Sequence, residues 1–148
     1  MAGLQQPNKR FEPMRRLGLC VLVAALPGYV LAGAESWGFV QSVGGIAVGM
    51  PSHRVEGWVL PVRADVSGLE AITANPNTLN SALICEETRA AVEGLNIYVT
   101  ITSALARPNN SPRCPPVALG EMSRGQYSVF YRGPGEPPVR IGEVSLGL

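Results

Sequence analysis

The most informative stretch of the chain is LNIYVTIT at residues 95–102. Its aliphatic residues Ile97, Val99 and Ile101 alternate with polar or aromatic ones, and a period of two is the pattern of a half-buried β-strand. A run rich in proline and asparagine follows at residues 108–112 and would end the strand. We therefore predict a strand here whose aliphatic side chains face a core.

Other runs of β-forming residues, separated by turn-forming residues, predict further strands. They lie at residues 39–42, 46–48, 55–62, 68–74, 81–93, 115–119, 125–132 and 139–146, with a loop at 50–54 and a turn at 75–78. Seven or eight short antiparallel strands without a convincing helix indicate an all-β domain. A two-sheet sandwich is the favoured arrangement, and a small up-and-down β-barrel is the alternative.

Helix and strand patterns compete at residues 86–93, which consist mostly of good helix formers. Eight residues are short for a helix that lacks a long apolar stripe, so we predict a strand with Ala90 and Val92 facing inward. Gly94 would then form a tight hairpin with the following strand.

The last two strands also have predicted faces. Tyr127, Val129 and Tyr131 are predicted to fall on one face of their strand. The apolar phase of the final strand changes at Gly142, and this change predicts a β-bulge there. The prolines at residues 115–116 suit an edge strand.

The first 34 residues have the order of a secretory signal peptide. Basic residues at positions 9, 10, 15 and 16 precede an apolar run at 17–26, and Ala32 and Ala34 supply the small residues of a cleavage site. We predict cleavage after Ala34, a single mature domain at 35–148, and export to the periplasm or the medium, with Met14 as an alternative start. An uncleaved membrane anchor is the alternative, but Pro27-Gly28 interrupts residues 17–34, which are barely long enough to span a bilayer. Cleavage would leave no membrane span.

Cleavage would remove Cys20 and leave Cys85 and Cys114, which we expect to form a disulfide in an oxidising compartment. The leader also holds four basic residues and one acidic residue, so the mature chain has 8 basic and 10 acidic residues, a formal net charge of −2 and no lysine. A chain of this charge lacks the basic clusters typical of nucleic-acid binding or of binding to anionic membranes.

One spacing suggests a family resemblance. Cys85 is followed by Val92-x-Gly94-x-x-Ile97-x-Val99-x-Ile101, by Cys114-Pro115-Pro116 and by Gly125-x-Tyr127-x-Val129-x-Tyr131. Over residues 55–148 this arrangement resembles the latter part of small exported bacterial proteins with immunoglobulin-like sandwich domains. The resemblance implies fold and compartment and carries no catalytic residue. Residues 69–83 depart from it, and the strand order there stays open.

Few residues in the sequence suggest a catalytic or metal-binding site. His53 is the only histidine, and with Met50, joined by Met122, it would be a weak copper-site candidate; a solvated loop histidine is the alternative. A serine hydrolase would need His53 as its base, and no Gly-x-Ser-x-Gly sequence is present. We therefore predict no catalytic residue and no cofactor.

Residues 75–78, Asn-Pro-Asn-Thr, resemble the Asn-Pro loop of immunoglobulin-like inhibitors of papain-type cysteine proteases. The other contact loops of that family have no counterpart here, because Arg107-Pro108 lacks the aromatic residue that should follow. A plain turn is the preferred interpretation.

These observations favour a non-enzymatic binding module that contacts an unknown protein or envelope component through its loops. The candidate contact residues are Arg107, Asn109, Asn110 and Arg132. Six aromatic residues, at positions 37, 58, 98, 127, 130 and 131, would form either a binding platform or core packing. An envelope structural component is the main alternative, followed by a small periplasmic enzyme, a protease inhibitor and a copper-binding protein.

Overall fold

The computed structural model of the protein describes residues 33–70 and 77–147. Residues 1–32 of the predicted signal peptide lie outside the described residues, as do positions 71–74 of the predicted 68–74 strand and the first half of the predicted 75–78 turn. The described chain consists mainly of short strands. They are β1 (Gly33–Ala34), β2 (Ala47–Val48), β3 (Ser52–Arg54), β4 (Gly57–Leu60), β5 (Val62–Arg63), β6 (Leu83–Glu93), β7 (Asn96–Leu105), β8 (Val117–Gly120), β9 (Gly125–Tyr131) and β10 (Val139–Leu146), with the helix α1 (Trp37–Ser42).

β7 is the central strand of a five-stranded sheet, which we call the large sheet. β6 pairs antiparallel with one side of β7 over the length of the hairpin. On the other side of β7, β1 pairs antiparallel at residues 102–103 and β9 pairs parallel at residues 96–99. β10 pairs antiparallel with β9 and completes the sheet. The β7–β9 pair is the exception, among the described strands, to the predicted antiparallel arrangement.

Two smaller sheets, β3-β4-β8 and β2-β5, supply the other side of the core. Leu60 and Val117 from these sheets are buried in one cluster with Ile97, Val99 and Ile101 of the large sheet. The large sheet and the smaller sheets are open and do not close into a barrel. The sandwich-like all-β fold predicted from the strand pattern is therefore confirmed.

Cys85 and Cys114 meet where the layers join. Their Cα atoms are 5.0 Å apart and their sulfur atoms lie at bonding distance, with Cys85 on β6 and Cys114 just before β8. Both side chains are buried. The pair therefore ties the large sheet to the segment that enters the small β3-β4-β8 sheet.

The predicted faces of the two best strands are confirmed. Ile97, Val99 and Ile101 are each 0% exposed, and Tyr127, Val129 and Tyr131 are also buried together. The hairpin turns at residues 94–95, and the register of β10 against β9 shifts between Arg140 and Gly142, where the bulge was predicted. β8 is an edge strand, as expected, but begins at Val117.

The strand predicted at residues 39–42 is wrong, because this segment belongs to α1. The Ser36 side chain accepts a hydrogen bond from the Phe39 amide at 3.2 Å and caps the helix, and the Val40 amide donates to the Ser36 carbonyl at 3.1 Å. A single apolar side chain, that of Val40, is buried from this helix. The helix is too short to show a helical period in the sequence.

Three smaller predictions also need correction. The predicted loop at 50–54 contains β3, which pairs with β4. The described start of the predicted 68–74 strand is a turn, in which Gly68 has φ +74° and leaves a Cβ no room against the Leu79 carbonyl. Val92 shares the face of the half-buried Ala90, but it is 42% exposed because it lies near the end of β6, beyond the core.

Candidate functional site: the outer face of the large sheet

Tyr98 and Phe130 are neighbours on the side of the large sheet that faces away from the core. They are paired across β7 and β9, and the residues flanking each of them on its strand point inward. Their rings are stacked, with centroids 5.5 Å apart and an angle of 27° between the planes. The parallel pairing of β7 and β9 therefore creates an aromatic pair on an exposed face.

Arg132 lies over the ring of Tyr98 and has several hydrogen-bond partners. Its guanidinium carbon is 3.7 Å from the centre of the Tyr98 ring, and its Nη1 is 2.9 Å from Oε1 of Glu93. The Arg132 amide donates to the Val99 carbonyl at 2.8 Å, and the Thr100 hydroxyl donates to the Arg132 carbonyl at 3.0 Å. The hydrogen bond with Glu93 raises the pKa of the Arg132 guanidinium, so the group stays charged.

We call Glu93, Tyr98, Phe130 and Arg132 the Tyr98 cluster. All four side chains come from regular strands or from the residue that directly follows β9, so their positions are set by the sheet register. Tyrosine, arginine and phenylalanine are enriched at protein interfaces, and a side chain that is already ordered loses less entropy when a partner binds. The cluster therefore has the composition and the order of an interface contact.

The rest of the outer face is polar and charge-balanced. Arg89 forms an ion pair with Glu87 on β6, and Arg140 forms one with Glu143 on β10. These pairs are exposed and contribute little to stability. Arg89, Arg132 and Arg140 on this face each have a carboxylate partner.

The structure separates the loop residues that were predicted to contact a partner. Arg107, Asn109 and Asn110 lie in an exposed turn beyond the end of β7, where Asn109 has φ +71° and the Asn110 amide donates to the Arg107 carbonyl at 3.3 Å. Arg132 lies beside the middle of β7 in the Tyr98 cluster. The four residues therefore do not form one loop surface.

The weak copper-site candidates His53, Met50 and Met122 lie on or next to the strands of the small β3-β4-β8 sheet. His53 lies on β3, its ring makes an edge contact with Trp58 at 5.1 Å, and its Nε2 is 3.5 Å from Oε1 of Glu121. Met50 is 89% exposed, whereas Met122 packs partly against the core. Across residues 33–70 and 77–147, no three histidine, cysteine, aspartate or glutamate side chains are grouped as a metal site would require.

A cavity of about 520 Å³ lies beside the disulfide, and Asp65 and Cys114 are among the residues that line it. Asp65 is 7% exposed, and both its carboxylate oxygens are occupied: Oδ1 accepts from the Ser67 amide and hydroxyl, and Oδ2 accepts from the Glu70 amide at 3.0 Å. At the rim, Glu70 forms an ion pair with Arg113. The buried carboxylate thus organises its own loop through three hydrogen bonds.

Burial raises the pKa of the Asp65 carboxyl, but the hydrogen bonds from the Ser67 hydroxyl and from the backbone amides of Glu70, Ser67 and Gly68 outweigh this effect. The pKa therefore lies below the ordinary value of 3.8. Asp65 is not among the candidate site residues named from the sequence. The available signal was Asp-x-Ser, in which an aspartate commonly accepts from the amide two residues later.

The other aromatic residues belong mostly to the core. The Tyr131 hydroxyl donates to the Glu35 carbonyl at 2.6 Å, its ring lies 5.7 Å from that of Trp37, and burial raises the pKa of Tyr131 to about 12. The Tyr127 hydroxyl donates to the Ser123 carbonyl at 3.0 Å. Core packing therefore accounts for Tyr127 and Tyr131, whereas Tyr98 and Phe130 lie on the outer face.

Comparisons with known proteins leave the site to be interpreted from its geometry. No protein-family model matches the chain, and neither the curated proteins nor the solved structures yield a significant match. Among the described residues there is also no helix with the length and apolar character needed to cross a membrane.

Proposed function

We propose that the protein is an exported, non-enzymatic binding module that contacts a protein partner through the outer face of the large sheet. The observation that carries this proposal is the Tyr98 cluster on the outer face of the large sheet. There Tyr98 stacks on Phe130, and Arg132 lies over the Tyr98 ring and forms an ion pair with Glu93. Ordered Tyr and Arg side chains are the residues that most often dominate binding energy at protein interfaces.

Export is supported by the order of basic, apolar and small residues at positions 9–34 and by the pairing of Cys85 with Cys114. The immunoglobulin-like assignment of the sandwich is likewise part of the proposal, supported by the cysteine and strand spacing. N-terminal sequencing of the protein recovered after expression should return Glu35. Recovery of Met1 or Met14 would refute cleavage after Ala34.

Affinity purification tests the binding function. Tagged protein from its native cell envelope should retain a stoichiometric partner, and the Tyr98→Ala and Arg132→Ala variants should lose it. Arg140→Ala, which removes an arginine from the same face but from the β10 side, is the matched control and should keep the partner. Loss of the partner with all three variants, or with none of them, would contradict a contact centred on the Tyr98 cluster. Substrate turnover by the purified domain would overturn the non-enzymatic assignment.

A further inference from the structure

β6 has a free edge in the described part of the chain. It pairs with β7 on one side, and no other described strand pairs with it. At its beginning the edge is covered, because the Cys85 amide donates to the Ser111 carbonyl at 3.3 Å. Residues 88–93, which follow the bulge between Cys85 and Glu87, we call the open edge.

The hydrogen bonds of β7 show which backbone groups point toward the open edge. The carbonyls of Leu95, Val99 and Ile101 accept from Ser128, Arg132 and Glu35, so the odd-numbered residues of β7 bond away from β6. The even-numbered residues of β7 therefore bond to β6, where their register partners are Glu87, Arg89, Ala91 and Glu93. In an antiparallel ladder, residues that bond to the neighbouring strand alternate with residues whose backbone groups point to the other side. The amides and carbonyls of Thr88, Ala90 and Val92 therefore point to the open edge.

The side chains along the open edge have a pattern that is complementary to itself. Arg89, Ala91 and Glu93 lie on the outer face, with a small residue between opposite charges. Ala90 and the 42% exposed Val92 lie on the inner face. When this strand pairs antiparallel with a second copy of itself, the positive side chain of each copy can lie opposite the negative side chain of the other.

We propose that two copies of the chain pair antiparallel through β6, about a two-fold axis at Ala91. Arg89 then lies opposite the partner's Glu93, and Glu93 lies opposite the partner's Arg89. Ala90 and Val92 face each other across the axis, and their backbone groups form the ladder hydrogen bonds. The interface is isologous, so each contact occurs twice.

The neighbouring registers are unfavourable. An axis at Arg89 places two guanidinium groups opposite each other, and an axis at Ala90 places Glu87 opposite the partner's Glu93. An axis at Thr88 brings the partner onto Cys85, where Ser111 already occupies the edge. An axis at Val92 places Glu93 opposite the partner's Ala91 and forms no charge pair. The axis at Ala91 is the one that pairs Arg89 with Glu93, so the charges on this edge, which commonly prevent pairing, here favour that register.

The pairing joins two large sheets into one continuous sheet with both outer faces on the same side. Glu93 then lies between its own Arg132 and the partner's Arg89. The dimer presents two Tyr98 clusters side by side. The pairing depends on the open edge of β6 and not on a partner bound at the Tyr98 cluster.

Sedimentation velocity of the purified protein over a range of concentrations tests the proposal, and a species with the mass of two chains is expected. Val92→Pro removes an amide that points to the open edge without breaking a bond to β7. It should give a folded monomer that unfolds in one cooperative transition whose midpoint does not depend on protein concentration. Arg140→Glu, on the opposite edge of the same sheet, should remain a dimer.

A charge exchange identifies the register. Arg89→Glu alone and Glu93→Arg alone each place like charges opposite each other, and each should weaken the dimer by about tenfold or more. Mixed in equal amounts, the two variants should form a heterodimer, since both cross-strand pairs become attractive again. A monomeric wild-type protein, a dimer indifferent to Val92→Pro, or a mixture that does not associate would each overturn the proposal.

Discussion

Ile101 and Thr100 are adjacent on β7 but face opposite sides of the large sheet. Ile101 is 0% exposed, whereas Thr100 is half-buried and donates one hydrogen bond to the Arg132 carbonyl. We expect Ile101→Ala to lower the free energy of unfolding by about 2 to 4 kcal/mol and Thr100→Ala by about 1 kcal/mol. Urea unfolding of both variants measures the difference, and equal losses would mean that the outer face is covered in solution.

Asp65 gives stability a defined pH dependence. Its pKa in the folded protein is lowered, so its contribution is present above the pKa of the unfolded chain and is lost as the pH falls through the folded value. Asp65→Asn should therefore be less stable than wild type at neutral pH, and the difference should shrink below about pH 4. Urea midpoints from pH 7 to pH 2 measure this, and a constant difference would contradict it.

The β3–β4 hairpin depends on a glycine for its pairing with β8. Gly57 has φ +106°, and a Cβ there would lie 2.3 Å from the Gly120 carbonyl carbon, whereas Gly94 in the β6–β7 turn has φ +61° and open space around it. Gly57→Ala combines strain with a backbone clash and should cost about 3 kcal/mol or more, while Gly94→Ala should cost about 1 to 2 kcal/mol. Chemical denaturation of the two variants compares their free energies of unfolding. Similar losses would mean that β8 can move away from residue 57 without a loss of stability.

The Cys85–Cys114 pair acts on the whole domain because it joins its two layers across a sequence separation of 29 residues. Closing a loop of this length limits the unfolded chain and contributes about 3 to 4 kcal/mol in the chain-entropy description. Replacing both cysteines with alanine should lower stability by about that amount. Intact mass after alkylation, with and without reduction, should show the bond, and free thiols in the protein as isolated would refute it.

Local patterns in the sequence determined much of this fold. The alternation at residues 97–101 and 127–131 placed six side chains in the core, because a period of two leaves a strand only one apolar face. Glycine at position 94 and the phase change at Gly142 marked a turn and a bulge. The cysteine count led to the pair that joins the layers. Each of these features can be recognised from a few neighbouring residues or from the number of cysteines.

The remaining features of the fold and of the candidate site depend on contacts that the tertiary structure makes. The parallel pairing of β7 with β9 places Tyr98 beside Phe130 and brings Arg132 over the ring, although these residues are far apart in sequence. α1 forms because Ser36 caps it and Val40 finds the core, and both are weak signals in six residues. Asp65 is buried because its own loop supplies its donors. The Tyr98 cluster and the open edge of β6 depend on which strands become neighbours, and no local period encodes that choice.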